Sequence, residues 1–232
     1  MLDAPQEPRL FPFPVPSDTI LLRQGIAAGR HLTLLLIGFE VAGQKENAST
    51  TLISESLGRL EPDRNRVAAE YLRIEKGSID DMHQRQTQQL VQLIFEHRPE
   101  TLLFVGQAAG RNSMMLERLA INFFADQRVV EEAPAAYWQT LPGLESLASE
   151  AQAESIALSI SNFAGYQTSN HALYSALHLA STEKLPFNAG LLHVPLLESQ
   201  CVEEMKGQPN ISLEDACQCL CWLVERLAPK MP

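Results

Sequence analysis

Positive charge is scarce in this 232-residue chain: 18 Lys and Arg stand against 28 Asp and Glu, a formal net charge of −10. No Lys/Arg cluster interrupts that balance. Such a surface repels phosphate backbones and anionic lipid, so neither nucleic acid nor a membrane is expected as a partner. Long apolar runs are also missing; none reaches the ~18 to 20 residues that span a bilayer. The first residues carry Asp3 and Glu7 and show no extended apolar core or small-residue cleavage pattern. That argues against a secretory leader and places the protein in the cytoplasm. Cysteine is confined to Cys201, Cys217, Cys219 and Cys221. Positions i, i+2 and i+4 of a helix do not converge on one face, and no CxxC pair or matching His spacing accompanies them. A metal site is therefore not expected, and the four thiols read as core and surface groups of a reducing compartment. Internal repeats, low-complexity tracts and the glycine spacings of phosphate-binding loops are all lacking; Gly106 and Gly110 match none of the latter.

What is present is 45% hydrophobic residues, enough for one full core. The chain divides into a Pro-rich extension, residues 1–30, and a single domain, residues 31–232. The extension contains PRLFPFPVP, four prolines in nine residues, which forbids a regular helix and favours an extended arm. A short helix ending at a glycine could follow it. Beyond it, short continuous apolar runs alternate with helical patterns. HLTLLLI (31–37), VAAEYLRI (67–74), TLLFV (101–105), 156–160 and GLLHVP (190–195) read as strands buried in a sheet. Helices are expected after residue 48, over 80–97, 144–153, after 169 and over 213–228, while 38–49 and 129–142 read as loops. This alternation predicts an α/β fold: one three-layer domain with a mostly parallel twisted sheet flanked by helices.

Ser169 stands at the start of a helical pattern behind the small, Gly-containing stretch SISNFAGYQTSNH. An N-cap explains such a serine, and so does a nucleophile beside free helix N–H groups. Glu117, beside Arg118, reads by itself as a solvated helix charge, and His193, near the end of a strand, as a core histidine. If the sheet is parallel, all three can meet at one edge of it, and nucleophile, base and orienting acid is a known division of labour.

Three blocks carry a resemblance. GFEVAGQKENAS begins at Gly38, VGQAAGRNSMMLERLAIN runs from Val105 to Asn122, and SNFAGYQTSN is followed by LLHVP. In content, order and spacing they resemble the pyroglutamyl peptidase I (pyrrolidone-carboxylate peptidase) family, cysteine peptidases that remove an N-terminal pyroglutamate. The PAAYxxTLP segment at Pro134 to Pro142 falls between them in the same order. The resemblance spans about His31 to the C-terminus. It implies that His193 matches the catalytic histidine and Glu117 its orienting acid, and that Phe39, Asn47 and Gln107 match residues around the lactam pocket. It also implies a peptide or small amide substrate, a homo-oligomer, often a tetramer, and no metal or organic cofactor.

Four departures matter. Ser169 aligns with the family's nucleophilic cysteine; Val41-Ala42 replaces a Pro-Phe pair; the segment after Asn122 is shorter; and the family lacks the 1–30 extension. A serine cannot pre-form the anion that a His-paired cysteine does, so His193 would have to act as a true general base. The expected activity is a pyroglutamyl peptidase-like hydrolase or acyl-transfer enzyme working through Ser169, His193 and Glu117, with cyclisation or amide formation as a related outcome. The competing reading is a catalytically silent homologue, engineered from cysteine to serine or naturally decayed, that serves as a binding or scaffold protein.

Overall fold

The computed structural model describes residues 32–44, 46–60, 66–202 and 205–228. The expected arm and helix of the first thirty residues lie outside them. Among the described residues, ten strands and five α-helices follow in the order β1 (Leu34–Val41), α1 (Ala48–Arg59), β2 (Val67–Ile74), α2 (Ile79–His97), β3 (Thr101–Gln107), β4 (Met114–Glu117), β5 (Leu119–Ile121), β6 (Ala136–Trp138), α3 (Leu144–Ala153), β7 (Leu158–Ser161), α4 (Thr168–Glu183), β8 (Asn188–Val194), β9 (Leu196–Leu197), β10 (Asn210–Ile211) and α5 (Leu213–Leu227). Six strands form the main sheet in the order β2-β1-β3-β8-β4-β7.

The period-2 alternation of the central strands sorts the core into two layers. Leu34, Leu36, Leu103, Val105 and Leu192 pack with α1, α3 and α5, whereas Leu35, Ile37, Phe39, Phe104 and Leu191 pack with α2 and α4. Both sheet faces are covered, which is why these strands read as unbroken apolar runs. On α5, the expected stripe of Ala216, Leu220, Leu223 and Leu227 is buried. Cys217 and Cys219 are buried there as well, Cys201 and Cys221 partly, and burial pushes the Cys219 thiol up to about 12, which makes it inert.

Three local expectations are corrected. The first strand runs to Val41, so GFEV is ladder and not loop: Gly38, Phe39, Glu40 and Val41 pair in register with Tyr71, Leu72, Arg73 and Ile74 of β2. The pairing energy of a long parallel neighbour outweighs the turn signal of one glycine. The 129–142 loop contains β6, which pairs antiparallel with β5. Glu117 closes a strand and lies on no helix.

The sheet is mostly parallel, with one reversal that shapes the site. β1, β2, β3 and β8 run together. β4 runs antiparallel to β8 and carries β7 parallel to itself. Strands β4 and β7 therefore do not end at the edge where β3 and β8 end, and the idea of three residues at equivalent strand ends does not hold.

Candidate active site

The site forms where β3, β8 and β4 lie side by side beneath the start of α4. Gly106 of β3 pairs with His193 of β8, and His193 pairs across its other side with Met115 of β4. Glu117, two residues beyond Met115, is the diagonal neighbour of His193 on the same sheet face, within reach of a long side chain. His193 Nδ1 lies 2.7 Å from Glu117 Oε1, and Ser169 Oγ lies 2.9 Å from His193 Nε2. Glu117 is fully buried; Ser169 and His193 are buried except for a few per cent of their surface. The solvated-charge reading of Glu117 is thereby overturned, because the antiparallel turn of β4 carries it into the sheet.

Ser169 is not a helix cap. The cap position is Gln167, whose side chain makes no capping hydrogen bond, and the helix begins at Thr168. By contrast Asn47, Ser78 and Ser212 cap α1, α2 and α5 with their side chains. The first N–H groups of α4 have no intrahelical acceptor and no side-chain cap, so they present donors and the positive end of the helix dipole beside Ser169. In the loop that follows β3 the Ala108 N–H is already committed to the Val194 carbonyl.

Phe39 is buried on the α2 and α4 side of β1, its ring 6.5 Å from that of Phe104. It therefore faces the same sheet side as Ser169. The Asn47 side chain accepts from Ser49 N–H and donates to Gln44 Oε1. Gln107 points to the opposite face, where its Oε1 accepts from Ala48 N–H at 2.8 Å and from Gln200 Nε2 at 2.8 Å. The Asn47 and Gln107 amides thus hold the start of α1, and only Phe39 shares a sheet face with Ser169. Asn47 also lines an open cavity of about 400 Å³ at the carboxyl ends of β1 and β2, with Val41, Ala42, Glu40 and Arg73 among its walls. A separate small void of about 10 Å³ is lined by Arg73, Ile74, Glu75, Gln86 and Thr168 among others.

Gly106, a glycine that allows close backbone approach, leaves space under the serine. Two other residues of the site escape a reading by residue type. Asn170, fully buried, accepts from Ile121 N–H and donates to the Ile121 and Phe123 carbonyls, pinning the start of α4 to β5. Arg111 reaches Glu117. Arg111 and Asn170 sat inside the quoted sequence blocks, but their partners are distant in sequence. Among the described residues no cluster of three or more His, Cys, Asp or Glu could hold a metal ion, and no helix is long and apolar enough to cross a membrane.

With this geometry in place, comparison with known proteins decides the family. The family model for pyroglutamyl peptidase matches residues 32–228. The chain belongs to the pyroglutamyl peptidase family. A pyrrolidone-carboxylate peptidase of Bacillus cereus is 33% identical over 193 residues, covering 78% of this chain and 86% of the relative. Among solved structures, a mutant pyrrolidone carboxyl peptidase from Pyrococcus furiosus superposes with a TM-score of 0.70 at 27% identity, over 84% of this chain and 97% of that one. The pyroglutamyl peptidase I of Bacillus amyloliquefaciens gives the same TM-score at 24% identity, over 87% and 96%, a likeness of fold. The chain is thus a member of a peptidase family built on this α/β fold.

Proposed function

We propose that the protein is a pyroglutamyl peptidase-like hydrolase in which Ser169 is the nucleophile, His193 the general base and Glu117 the acid that orients it. One observation carries this reading: the unbroken chain Ser169 Oγ, His193 Nε2, His193 Nδ1, Glu117 Oε1, with links of 2.9 and 2.7 Å inside the sheet. Both links fall within the reach required for proton transfer. Glu117 accepts a hydrogen bond from the His193 Nδ1–H, which keeps the proton on Nδ1 and leaves Nε2 as the acceptor of the Ser169 hydroxyl hydrogen.

Ser169 Oγ attacks the amide carbonyl carbon of a bound substrate as His193 Nε2 takes the hydroxyl proton. The oxyanion develops toward the uncapped first turn of α4, whose N–H groups stabilise it. His193 returns the proton to the leaving amine, the C–N bond breaks, and the acyl group remains as an ester on Ser169. Water, deprotonated by the same imidazole, releases the acid and regenerates the serine. An amine arriving in place of water would give a new amide or a cyclised product.

The substrate class is an amide of a small acyl or lactam group. Phe39, on the sheet face of Ser169, borders the acyl side, while Asn47 and Gln107 support it from behind by holding the start of α1. Val41 and Ala42, where the family carries Pro-Phe, line the open cavity beside Asn47. This favours a wider acyl group than the pyroglutamyl ring. Assembly as a homo-oligomer and residence in the reducing cytoplasm, where free thiols persist, belong to the same reading.

The test compares the protein as it stands with Ser169→Ala and Ser169→Cys on a chromogenic pyroglutamyl amide and a panel of other acyl amides. The expected result is turnover of at least one amide that vanishes in Ser169→Ala. Turnover that survives Ser169→Ala removes Ser169 as nucleophile. Turnover found only in Ser169→Cys supports the silent homologue, a binding protein that keeps the fold and the site without the chemistry.

A further inference from the structure

Arg111 ties together two parts of the site, strand β4 and the segment that enters α4. Its Nη2 donates to Glu117 Oε1 at 3.1 Å and to the Phe163 carbonyl at 2.8 Å, and its Nη1 lies 3.1 Å from Met115 Sδ. The Glu117 oxygen it contacts is the one that also meets His193 Nδ1. The other oxygen, Oε2, is buried with no hydrogen-bond partner. Met115 is the strand partner of His193, and Phe163 lies in the segment that enters α4.

An ionised carboxylate with no solvent exposure needs a compensating charge. His193 could supply one only in its protonated form, yet a general base must begin neutral. Arg111 removes that conflict. With the guanidinium in place the resting set of Ser169, neutral His193, Glu117 carboxylate and Arg111 carries no net charge. During attack the imidazolium formed on His193 is balanced by the oxyanion. The planar fork of the guanidinium also reaches the Phe163 carbonyl, which a point charge on a flexible stem does less well.

We propose that Arg111 is a positioning residue for the Ser169 chemistry: it holds the Glu117 carboxyl aligned on His193 Nδ1, and it fastens the 161–167 segment that delivers Ser169 to the site. This rests on the triad reading above, so its test has an arm that needs no turnover. The downfield Nδ1–H resonance of His193, followed by NMR with labelled histidine in the full chain, reads the His193–Glu117 bond directly. The wild-type protein and Ser169→Ala are expected to show it, Arg111→Met to lose it to solvent exchange, and Arg111→Lys to keep it. In kinetics on any amide that the protein cleaves, Arg111→Met is expected to lower kcat by about 10²-fold with KM within about threefold, and Arg111→Lys to recover about tenfold of that loss. An Arg111→Met protein with the wild-type resonance overturns the proposal. If Arg111→Met does not fold, Arg111→Lys decides: a folded Lys variant that retains the resonance supports the role, and one that lacks it overturns it. Absence of turnover in the wild-type protein would count against the triad reading alone, since the resonance still reports on Arg111.

Discussion

Gly106 lies directly under Ser169: a methyl group placed on its α-carbon would stand 3.0 Å from Ser169 Cβ, 3.4 Å from Ser169 Oγ and 3.3 Å from His193 Cδ2. Strand β3 therefore forms the floor of the site, and the absence of a side chain at this one position sets how closely α4 approaches the sheet. A contact of 3.0 Å forces a neighbour to give by a few tenths of an ångström, and here both neighbours belong to the proposed machinery.

Gly106→Ala is thus expected to displace Ser169 and lengthen its bond to His193 while leaving the surrounding strand paired. The expected loss is on the order of 10²-fold in kcat, because small misplacements of reacting groups are costly. Overpacking lowers stability by about 1–3 kcal/mol. Steady-state kinetics and thermal melting on the same sample separate the two. A variant with unchanged kcat would mean that the Ser169–His193 contact has slack to spare.

Asn170 mimics a strand partner for residues 121–123, and its removal takes the hydrogen bonds of the Ile121 N–H and the Phe123 carbonyl, while the Ile121 carbonyl keeps the Phe123 N–H. Asn170→Ala is expected to cost about 2–4 kcal/mol, at about 1–3 kcal/mol for each buried group left unsatisfied, discounted for relaxation. Asn170→Asp keeps the acceptor for Ile121 N–H but sets a carboxylate against two carbonyl oxygens, so it is expected to be the less stable of the pair. Urea unfolding of the two variants gives the order directly; an Asp variant as stable as wild type would show that the amide donors contribute nothing.

His171, two residues after Ser169, is fully buried, and its Nε2 lies 2.9 Å from His83 Nδ1 of α2. Burial holds the His171 ring well below its usual range, with His83 adding to the effect. Burial also lowers His83, against an opposing pull from Asp80. The sign follows from linkage: the unfolded chain binds protons at its histidines below about 6.5, while the folded chain resists them. This pair therefore contributes stability that is present above about pH 6.5 and is lost progressively as the pH falls. Tm measured between pH 7.5 and 5 is expected to drop more steeply for the wild-type protein than for His171→Leu, which has one fewer buried group to protonate. Parallel curves would assign the acid sensitivity to other groups.

Some elements of this fold were legible residue by residue. The VAAEYLRI run forms β2 over the predicted residues, and the Leu144–Ala153 helix has the predicted bounds, because apolar periodicity and local propensity agree there. The end of β1 was not legible, since a glycine reads as a break until a partner strand supplies ladder bonds. The strand position of Glu117 was hidden for a related reason. Met114–Glu117 is too short to announce itself as a strand, and a carboxylate beside an arginine looks solvated in one dimension.

The sequence by itself determined the family and the α/β class and singled out Ser169, His193 and Glu117 as the residues of the proposed triad, because blocks in fixed order and spacing carry that information along the chain. Tertiary structure alone decided how those residues meet. The reversal of β4 and β7 against β8 places Glu117 diagonally across from His193 and not at a shared strand edge. Gly106 admits the serine, Arg111 supplies the buried counter-charge, and Gln107 turns its amide to the far face. Pairing direction and side-chain facing arise from contacts between residues far apart in sequence, and no local pattern encodes them.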